Sequence, residues 1–186
     1  MADNDDIATA EQVLAFWFTE LSPAQWWGKD AALDRAIAQR FGTTLAAARA
    51  AELAGWRDSA PGRLAEVIVL DQFSRNIFRE RPESFAADGM ALALAQEAVR
   101  GGFDRQLAVG ERAFLYMPYM HSESARIHQD ALRLFDQPGL ENNLDFERRH
   151  HAIIVRFGRY PHRNAILGRA SSAEEIAFLQ QPGSSF

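Results

Sequence analysis

The chain has 186 residues, enough for one domain with a substantial core, and its apolar (47%) and charged (24%) fractions are those of an ordinary globular protein. It contains no cysteine, which excludes disulfides, thiolate metal sites and cysteine nucleophiles. No apolar run could span a membrane, and the acidic start (Asp3, Asp5, Asp6) is unlike a signal peptide, so we expect a cytoplasmic protein with no membrane partner.

Helix signals recur along the chain, and strand signals are nearly absent. Capping boxes at Thr9–Gln12 and Ser22–Gln25 are expected to open the first two helices. Further helices are predicted from Asp30 to about Leu53, Leu64 to Arg79, Glu83 to Val99, Leu107 to Pro118, onward to Phe135, Leu144 to Phe157, and from a cap at Ser171–Glu174 to Gln180. Short connections between seven to eight helices predict an all-α, antiparallel helical array. Residues 9–181 would form one domain, between a disordered acidic tail (1–8) and a flexible tail (182–186).

The stretch from Leu64 to Arg79 is predicted to be the central helix. At about 100° per residue, its apolar side chains fall on two sides, with Leu64, Val67, Ile68 and Phe78 on one and Leu70, Phe73 and Ile77 on the other. A helix that is apolar on both sides is buried. Asp71 and Arg75 lie within the first apolar stripe and are four residues apart, so we expect them to pair. Because an uncompensated buried charge is costly, the sequence predicts a polar site inside a helical core.

The motifs DQFSRNIFR, LYMPYMHSES and RFGRYPHRNAILGR are long and unusual. With them, nearly the whole chain resembles bacterial domain-of-unknown-function family 924. This resemblance implies a tetratricopeptide-like, right-handed arrangement of helices, and it brings no activity, substrate or cofactor. The chain departs from the family at Ser74, where proline is usual, and at Tyr160, where phenylalanine is usual; the hydroxyl of Tyr160 could make a hydrogen bond that other members lack.

Polar residues in three segments form the candidate site. We assign possible catalytic roles to His121, Glu123 and His162, because histidine can transfer protons near neutral pH and a carboxylate can assist it. Ligand-binding roles are assigned, largely because arginine forks suit carboxylates and phosphates, to Asp71, Gln72, Arg75, Asn76, Arg112, Tyr116, Arg156, Arg159, Arg163 and Asn164. The same charges could instead simply pin helix ends together or form a surface anion patch.

Two functions remain open. The first is a small anionic ligand held by Arg159 and Arg163, with Asp71 orienting Arg75 and with possible acid–base chemistry at a histidine. The second is a protein- or peptide-interaction module whose arginines bind an acidic peptide and which performs no catalysis. A closed cavity would favour the first function, and an open groove with exposed aromatics would favour the second.

Other classes of site find less support. Glu147 and His150 have the spacing used by di-iron bundles, but a second such pair is absent, so we predict no metal and read His150 as a hydrogen-bonded core residue. No Walker A, GxGxxG or GxSxG motif occurs, and no cofactor is predicted. Residues 148–169 carry six arginines and three histidines without an acid, yet the net charge of −5 makes nucleic acid an unlikely partner. The N-terminal aromatics are expected in the core, and the alternative is that they wall a pocket or hold a peptide; they are Phe16, Trp17, Phe18, Trp26 and Trp27.

Overall fold

The computed structural model describes residues 7–185, and every regular element in this range is helical. The helices are α1 (Ala10–Ala15), α2 (Pro23–Trp27), α3 (Ala31–Arg49), α4 (Ala60–Ile68, continuing to Ser74–Ile77), α5 (Asp88–Arg100), α6 (Val109–Met120), α7 (Ala125–Phe135), α8 (Glu141–Phe157) and α9 (Ala173–Leu179). Short 3₁₀ turns lie at Ala54–Asp58, Pro82–Ser84, Asp104–Gln106 and Pro161–Arg163. The all-α prediction is confirmed. Nine helices in the described range exceed the predicted seven to eight, and the tetratricopeptide-like arrangement stays a prediction.

Helix α4 lies at the centre of the fold and packs against α1, α3, α5 and α6. Leu64 and Ile68 on one side of the helix and Leu70 and Phe73 on the other are all fully buried. The prediction of a central helix covered on both sides is therefore confirmed. Removing these apolar surfaces from water is the main favourable contribution to folding.

Two irregular turns interrupt the regular helices. Helix α1 continues into a π-helical turn over Phe16–Glu20, and α4 contains a π-helical turn over Val69–Phe73. Such π-helical turns are rare in proteins, and those that occur are often found at functional sites. The second turn contains Asp71, so the polar site of the core begins at an irregularity that the apolar periodicity did not reveal.

Several predicted helix boundaries are wrong by a few residues. Helix α3 ends at Arg49 instead of Leu53, because Ala51 adopts a left-handed conformation (φ 61°) that stops the helix. The helix after Pro82 begins at Asp88 instead of Glu83, since a 3₁₀ turn at Pro82–Ser84 comes first. The last helix is capped by Ser172 with Glu175 and not by Ser171 with Glu174.

Pro118 does not end helix α6. The proline lacks an N–H group, yet the N–H of His121 still donates to the carbonyl of Met117 (3.0 Å), so the backbone ladder resumes and the helix ends at Met120. His121 is the C-terminal cap of α6 as a result.

The chain ends differ from the predicted tails. Ala8, assigned to the acidic tail, donates its N–H to the hydroxyl of Thr44 (2.9 Å), and Ile7 packs against the core. Ser184, assigned to the C-terminal tail, is buried and donates its hydroxyl to the carbonyl of Leu179 (3.1 Å). The rest of the acidic tail (1–6) and residue 186 lie outside the described residues. Within residues 7–185, none of the helices combines the length and apolarity needed to cross a bilayer.

Candidate functional site

Asp71 is the most buried charge of the site. Its side chain is 1% exposed, and its Oδ1 accepts from Nδ1 of His121 (2.7 Å) and lies 3.1 Å from the guanidinium of Arg75. Its Oδ2 accepts from the amide of Gln72 (2.6 Å). Burial raises the pKa of Asp71, but the charge of Arg75 and the contact with His121 outweigh burial and hold the pKa well below the ordinary range of a carboxyl group. Asp71 is therefore ionised at neutral pH.

Arg75 joins Asp71 to a second carboxylate. Its guanidinium donates to both carboxylate oxygens of Asp88, at 2.9 and 3.0 Å. Asp88 is the first residue of α5, where a helix N-terminus favours negative charge. Asp88 was not among the predicted site residues, because the helix was expected to begin five residues earlier. An acidic residue at the start of a helix is the sequence signal that could have identified it.

Arg163 lies over the same pair of charges. It is 6% exposed, donates to the carbonyl of His121 (3.0 Å), and approaches Asp88 at 3.5 Å. Its guanidinium lies 4.6 Å from the ring centres of both Phe85 and Tyr160, a cation–π arrangement with two aromatics. The Nε of Arg163 is buried and has no acceptor among residues 7–185.

His121 is held in a defined state by these charges. Burial lowers the pKa of His121, and Arg75 lowers it further, against the opposing effects of Asp71 and Asp88. The imidazole is therefore neutral near pH 7. Because Asp71 is ionised and can only accept, the proton of the ring lies on Nδ1, and Nε2 carries a lone pair.

Glu123 is fixed by a separate set of bonds. Arg169 donates to its two carboxylate oxygens (2.7 and 2.9 Å), and the N–H of Tyr160 donates to it at 2.7 Å. Burial raises the pKa of Glu123, but these donors outweigh it and lower the pKa below its ordinary value. Asn164 belongs to this set, since its carbonyl accepts from Arg169 (2.9 Å). Arg169 was not among the predicted residues.

These groups border a cleft of about 370 Å³ between the start of α5, the end of α6 and the loop that contains Arg163. Its polar residues are Asp88, His121, Ser122, Glu123 and Arg163. Its main apolar residues are Pro82, Phe85, Ala86, Leu92, Pro118 and Leu167. A larger cavity of about 430 Å³ lies between Ile7–Glu11 and the turn at Trp56, but none of the buried ion pairs borders it, so the chemistry favours the smaller cleft.

The structure separates the predicted residues into groups. Seven of them lie around the cleft in two sets of bonds: Asp71, Gln72, Arg75, His121 and Arg163 in the first, and Glu123 and Asn164, both bound by Arg169, in the second. His162 is beside these residues, with its ring 5.6 Å from that of Tyr160, and it does not border the cleft. Burial and the charge of Arg163 lower the pKa of His162 to about 4.

Five predicted residues lie elsewhere, each with its own partner. Asn76 donates to Asp34 (2.8 Å), and Tyr116 donates to Asp104 (2.7 Å). Arg112 donates to Gln137 (2.7 Å). Arg156 and Arg159 pair with Glu174 and Glu175, the acidic residues at the start of α9. None of these five residues borders the cleft, and neither do their acidic or amide partners, so their ligand-binding assignment stays a prediction.

A second buried ionisable pair lies behind the cleft. His128 and Glu147 are fully buried, with Nδ1 and Oε1 2.6 Å apart, and the other ring nitrogen of His128 is 2.8 Å from the carbonyl of Ser122. Burial raises the pKa of Glu147. His150 is 6% exposed and bonded to the carbonyl of Phe146 (2.8 Å), which confirms it as a core residue. The described residues contain no cluster of three groups suited to a metal ion.

Comparisons with known proteins agree with one another. The model of a family described as a bacterial protein of unknown function (DUF924) matches residues 13–183. A solved structure of a protein of unknown function from Agrobacterium tumefaciens is similar over 92% of this chain and 96% of its own, with 38% sequence identity and a TM-score of 0.88. No curated protein matches the chain.

Proposed function

This chain belongs to the DUF924 family of bacterial proteins, whose description names no activity, and we propose its function from the site itself. The protein binds a small anionic ligand in the cleft, and His121 is the acid–base group. The observation that supports this most directly is Arg163. A guanidinium has five N–H donors, and Arg163 uses one on His121 and one, at long range, on Asp88. These two bonds leave three N–H groups unused, and the buried Nε is one of them.

The arrangement of Asp71 and His121 supports a role in proton transfer. A buried carboxylate that accepts from Nδ1 fixes the tautomer and the orientation of an imidazole, and it leaves Nε2 to act as a base. His121 borders the cleft, and its side chain is 17% exposed. A ligand bound by Arg163 is therefore placed beside a neutral, oriented histidine.

The test is ligand-induced thermal stabilisation. Purified protein is first analysed by native mass spectrometry for a co-purifying small molecule, and that molecule, or a panel of small anions, is added in a thermal-shift assay. Arg163→Ala is expected to abolish the shift, and Arg163→Lys, which keeps the charge but loses the planar fork, to reduce it. Arg156→Ala is the matched control, since Arg156 is 45% exposed and paired with Glu174. An unchanged shift in a folded Arg163 variant would refute the assignment.

A second candidate function is supported by an exposed aromatic surface. The prediction that Trp27 lies in the core is wrong: the residue is 60% exposed and stacks on Phe114, with the ring centres 5.8 Å apart. Under this alternative the chain receives a partner protein or an acidic peptide and performs no chemistry. Pull-down from a cell extract with wild-type protein and with Trp27→Ala, followed by peptide identification, tests it. The alternative loses if both proteins capture the same set of peptides.

A further inference from the structure

We propose, as an extension that rests on the proposed function, that the ligand of the cleft is a monocarboxylate with an apolar body, and that it binds together with one proton taken up by His121. The charge balance, the free donors and the apolar wall each support one part of this proposal.

The first part is the charge balance of the empty cleft. Three arginines, Arg75, Arg163 and Arg169, pair with three carboxylates around the cleft. These carboxylates are Asp71, Asp88 and Glu123. With His121 neutral, the charges cancel, so an entering anion adds a negative charge that nothing compensates. Since burial of an unpaired charge is costly, binding favours protonation of the one titratable group at the cleft that can become positive, His121.

The second part is the number of free donors. Arg75 is occupied by Asp71 and by both oxygens of Asp88, and Arg169 by both oxygens of Glu123. Only Arg163 among these three has a buried N–H, on Nε, without an acceptor in residues 7–185. One planar fork matches one carboxylate. A dicarboxylate or polyphosphate would bring further charge toward Asp88 and Glu123, which border the same cleft.

The third part is the wall of the cleft. Apolar side chains make up about half of the lining residues, and Phe85 links them to the charged residues because the guanidinium of Arg163 lies 4.6 Å from the centre of its ring. Leu92, Pro118 and Leu167 extend this apolar surface. The volume, about 370 Å³, is at the small end of the range for ligand sites, roughly 300–1,000 Å³. A short apolar tail fits this wall, and a carboxylate at its end reaches Arg163.

Proton uptake follows from the groups around His121. The facing groups are Asp71 and Arg75 from α4, Asp88 from α5, His150 from α8, His162 and Arg163 from the loop after α8, and Glu123 from the loop after α6. In the empty cleft, burial and Arg75 lower the pKa of His121. A bound carboxylate adds a negative charge beside the ring and raises this pKa, so affinity is highest at acidic pH and falls as pH rises through the pKa of the complex.

The experiment uses the full chain and defined probes. Butyrate, hexanoate and phenylacetate are compared with hexanamide, succinate and inorganic phosphate by isothermal titration calorimetry at pH 7, in two buffers of different ionisation enthalpy. We expect at least one monocarboxylate to bind, and hexanamide, succinate and phosphate to bind at least tenfold more weakly. The two buffers are expected to report uptake of up to one proton. Where uptake is complete, affinity is expected to fall about tenfold per pH unit.

Variants assign the proton to its residue. His121→Asn can still donate to Asp71 but cannot titrate, so binding is expected to lose its proton uptake and its dependence on pH. His151→Asn, at a partly exposed histidine of α8, is the control and is expected to keep both. The wild-type measurement in two buffers does not depend on the folding of any variant.

The outcomes separate this inference from the proposed function. Tighter binding of phosphate or succinate than of every monocarboxylate overturns the inference and leaves an anion cleft in place. Monocarboxylate binding without proton uptake in the wild type also overturns it. If none of the six probes binds, both the inference and the anion cleft are refuted.

Discussion

Replacing Asp71 by alanine tests whether the buried network contributes to stability. Asp71 is fully buried, and its carboxylate serves Gln72, Arg75 and His121 at once. Its removal leaves Arg75 bonded to Asp88 and to the backbone carbonyl of residue 71, and it leaves His121 without an acceptor for Nδ1. Removing one partner of a buried ion pair costs about 3–5 kcal/mol. Because Arg75 is 21% exposed and keeps both bonds to Asp88, we expect the lower end, about 3 kcal/mol.

The assay is thermal and urea unfolding at pH 7. For a chain of this length, about 3 kcal/mol corresponds to a decrease in Tm of about 6–12 °C. Asp145→Ala is the matched control: Asp145 pairs with Arg148 (3.1 Å), but both side chains are more than half exposed, so the expected change is below about 0.5 kcal/mol. Equal Tm values for the two variants would refute the reasoning, because they would show that Asp71 is not part of a buried ionised network.

The same variant also tests how the contribution of Asp71 to stability depends on pH. The folded-state pKa of Asp71 is lowered, so its stabilising contribution is complete above the ordinary value of 3.8 and is lost as pH falls through the folded-state pKa. The stability difference between wild type and Asp71→Ala is therefore expected to shrink only below about pH 4. A difference that disappears near pH 6 would assign it to His121 instead.

Three further predictions concern the rest of the molecule. Burial lowers the pKa of His150 to about 3, so below about pH 6.5 the unfolded chain takes up a proton that the folded chain does not, and the wild type loses stability. His150→Gln removes this effect, so between pH 6 and pH 4 its free energy of unfolding is expected to fall by about 2 kcal/mol less than that of the wild type, as measured by urea unfolding. Gly158 ends α8 with φ 69°, so Gly158→Ala is expected to cost about 1 kcal/mol, whereas Gly110→Ala, inside a helix with open space around its Cβ, is expected to be neutral or stabilising; equal effects would contradict this. Tyr160→Phe removes the hydroxyl that donates to the carbonyl of Met120 (2.5 Å) and is expected to lower the free energy of unfolding by about 1 kcal/mol, and no change would show that this bond contributes nothing.

Arginine is suited to the network for a geometric reason. Arg75 binds Asp88 through two bonds, one to each carboxylate oxygen, and Arg163 lies over two aromatic rings while it still donates to a carbonyl. A lysine ammonium has no planar fork and does not stack in this way. Charge alone would not reproduce the site, which is why Arg163→Lys is a useful variant beside Arg163→Ala.

Local features of the fold were predictable from the sequence. The capping boxes at Thr9 and Ser22 and the helix end at Gly158 are confirmed, because each depends on a few neighbouring residues. The shift of the last cap from Ser171 to Ser172 has the same origin, since two adjacent serines are equally good caps by type. The start of α5 at Asp88 was missed because a 3₁₀ turn after Pro82 has no clear signal in composition.

The candidate site was predictable in part. The bond between Asp71 and Arg75 is confirmed, because residues four apart on one helix are neighbours wherever that helix packs. Arg159, in contrast, was predicted to bind the ligand, and in the structure its guanidinium binds Glu175. Its acidic partner is sixteen residues away along the chain, and nothing local distinguished it from other acids.

By itself, the sequence determined that the protein is helical, that one helix is buried on both sides, and that this helix carries a pair of opposite charges. Periodicity, capping and spacing act over a few residues, so they are readable without coordinates. Only the tertiary structure decided which charges meet: it brought Asp88, His121 and Arg163 to one cleft from positions up to 75 residues apart. Charges of the same type are interchangeable in a sequence, and the packing of the helices selects among them.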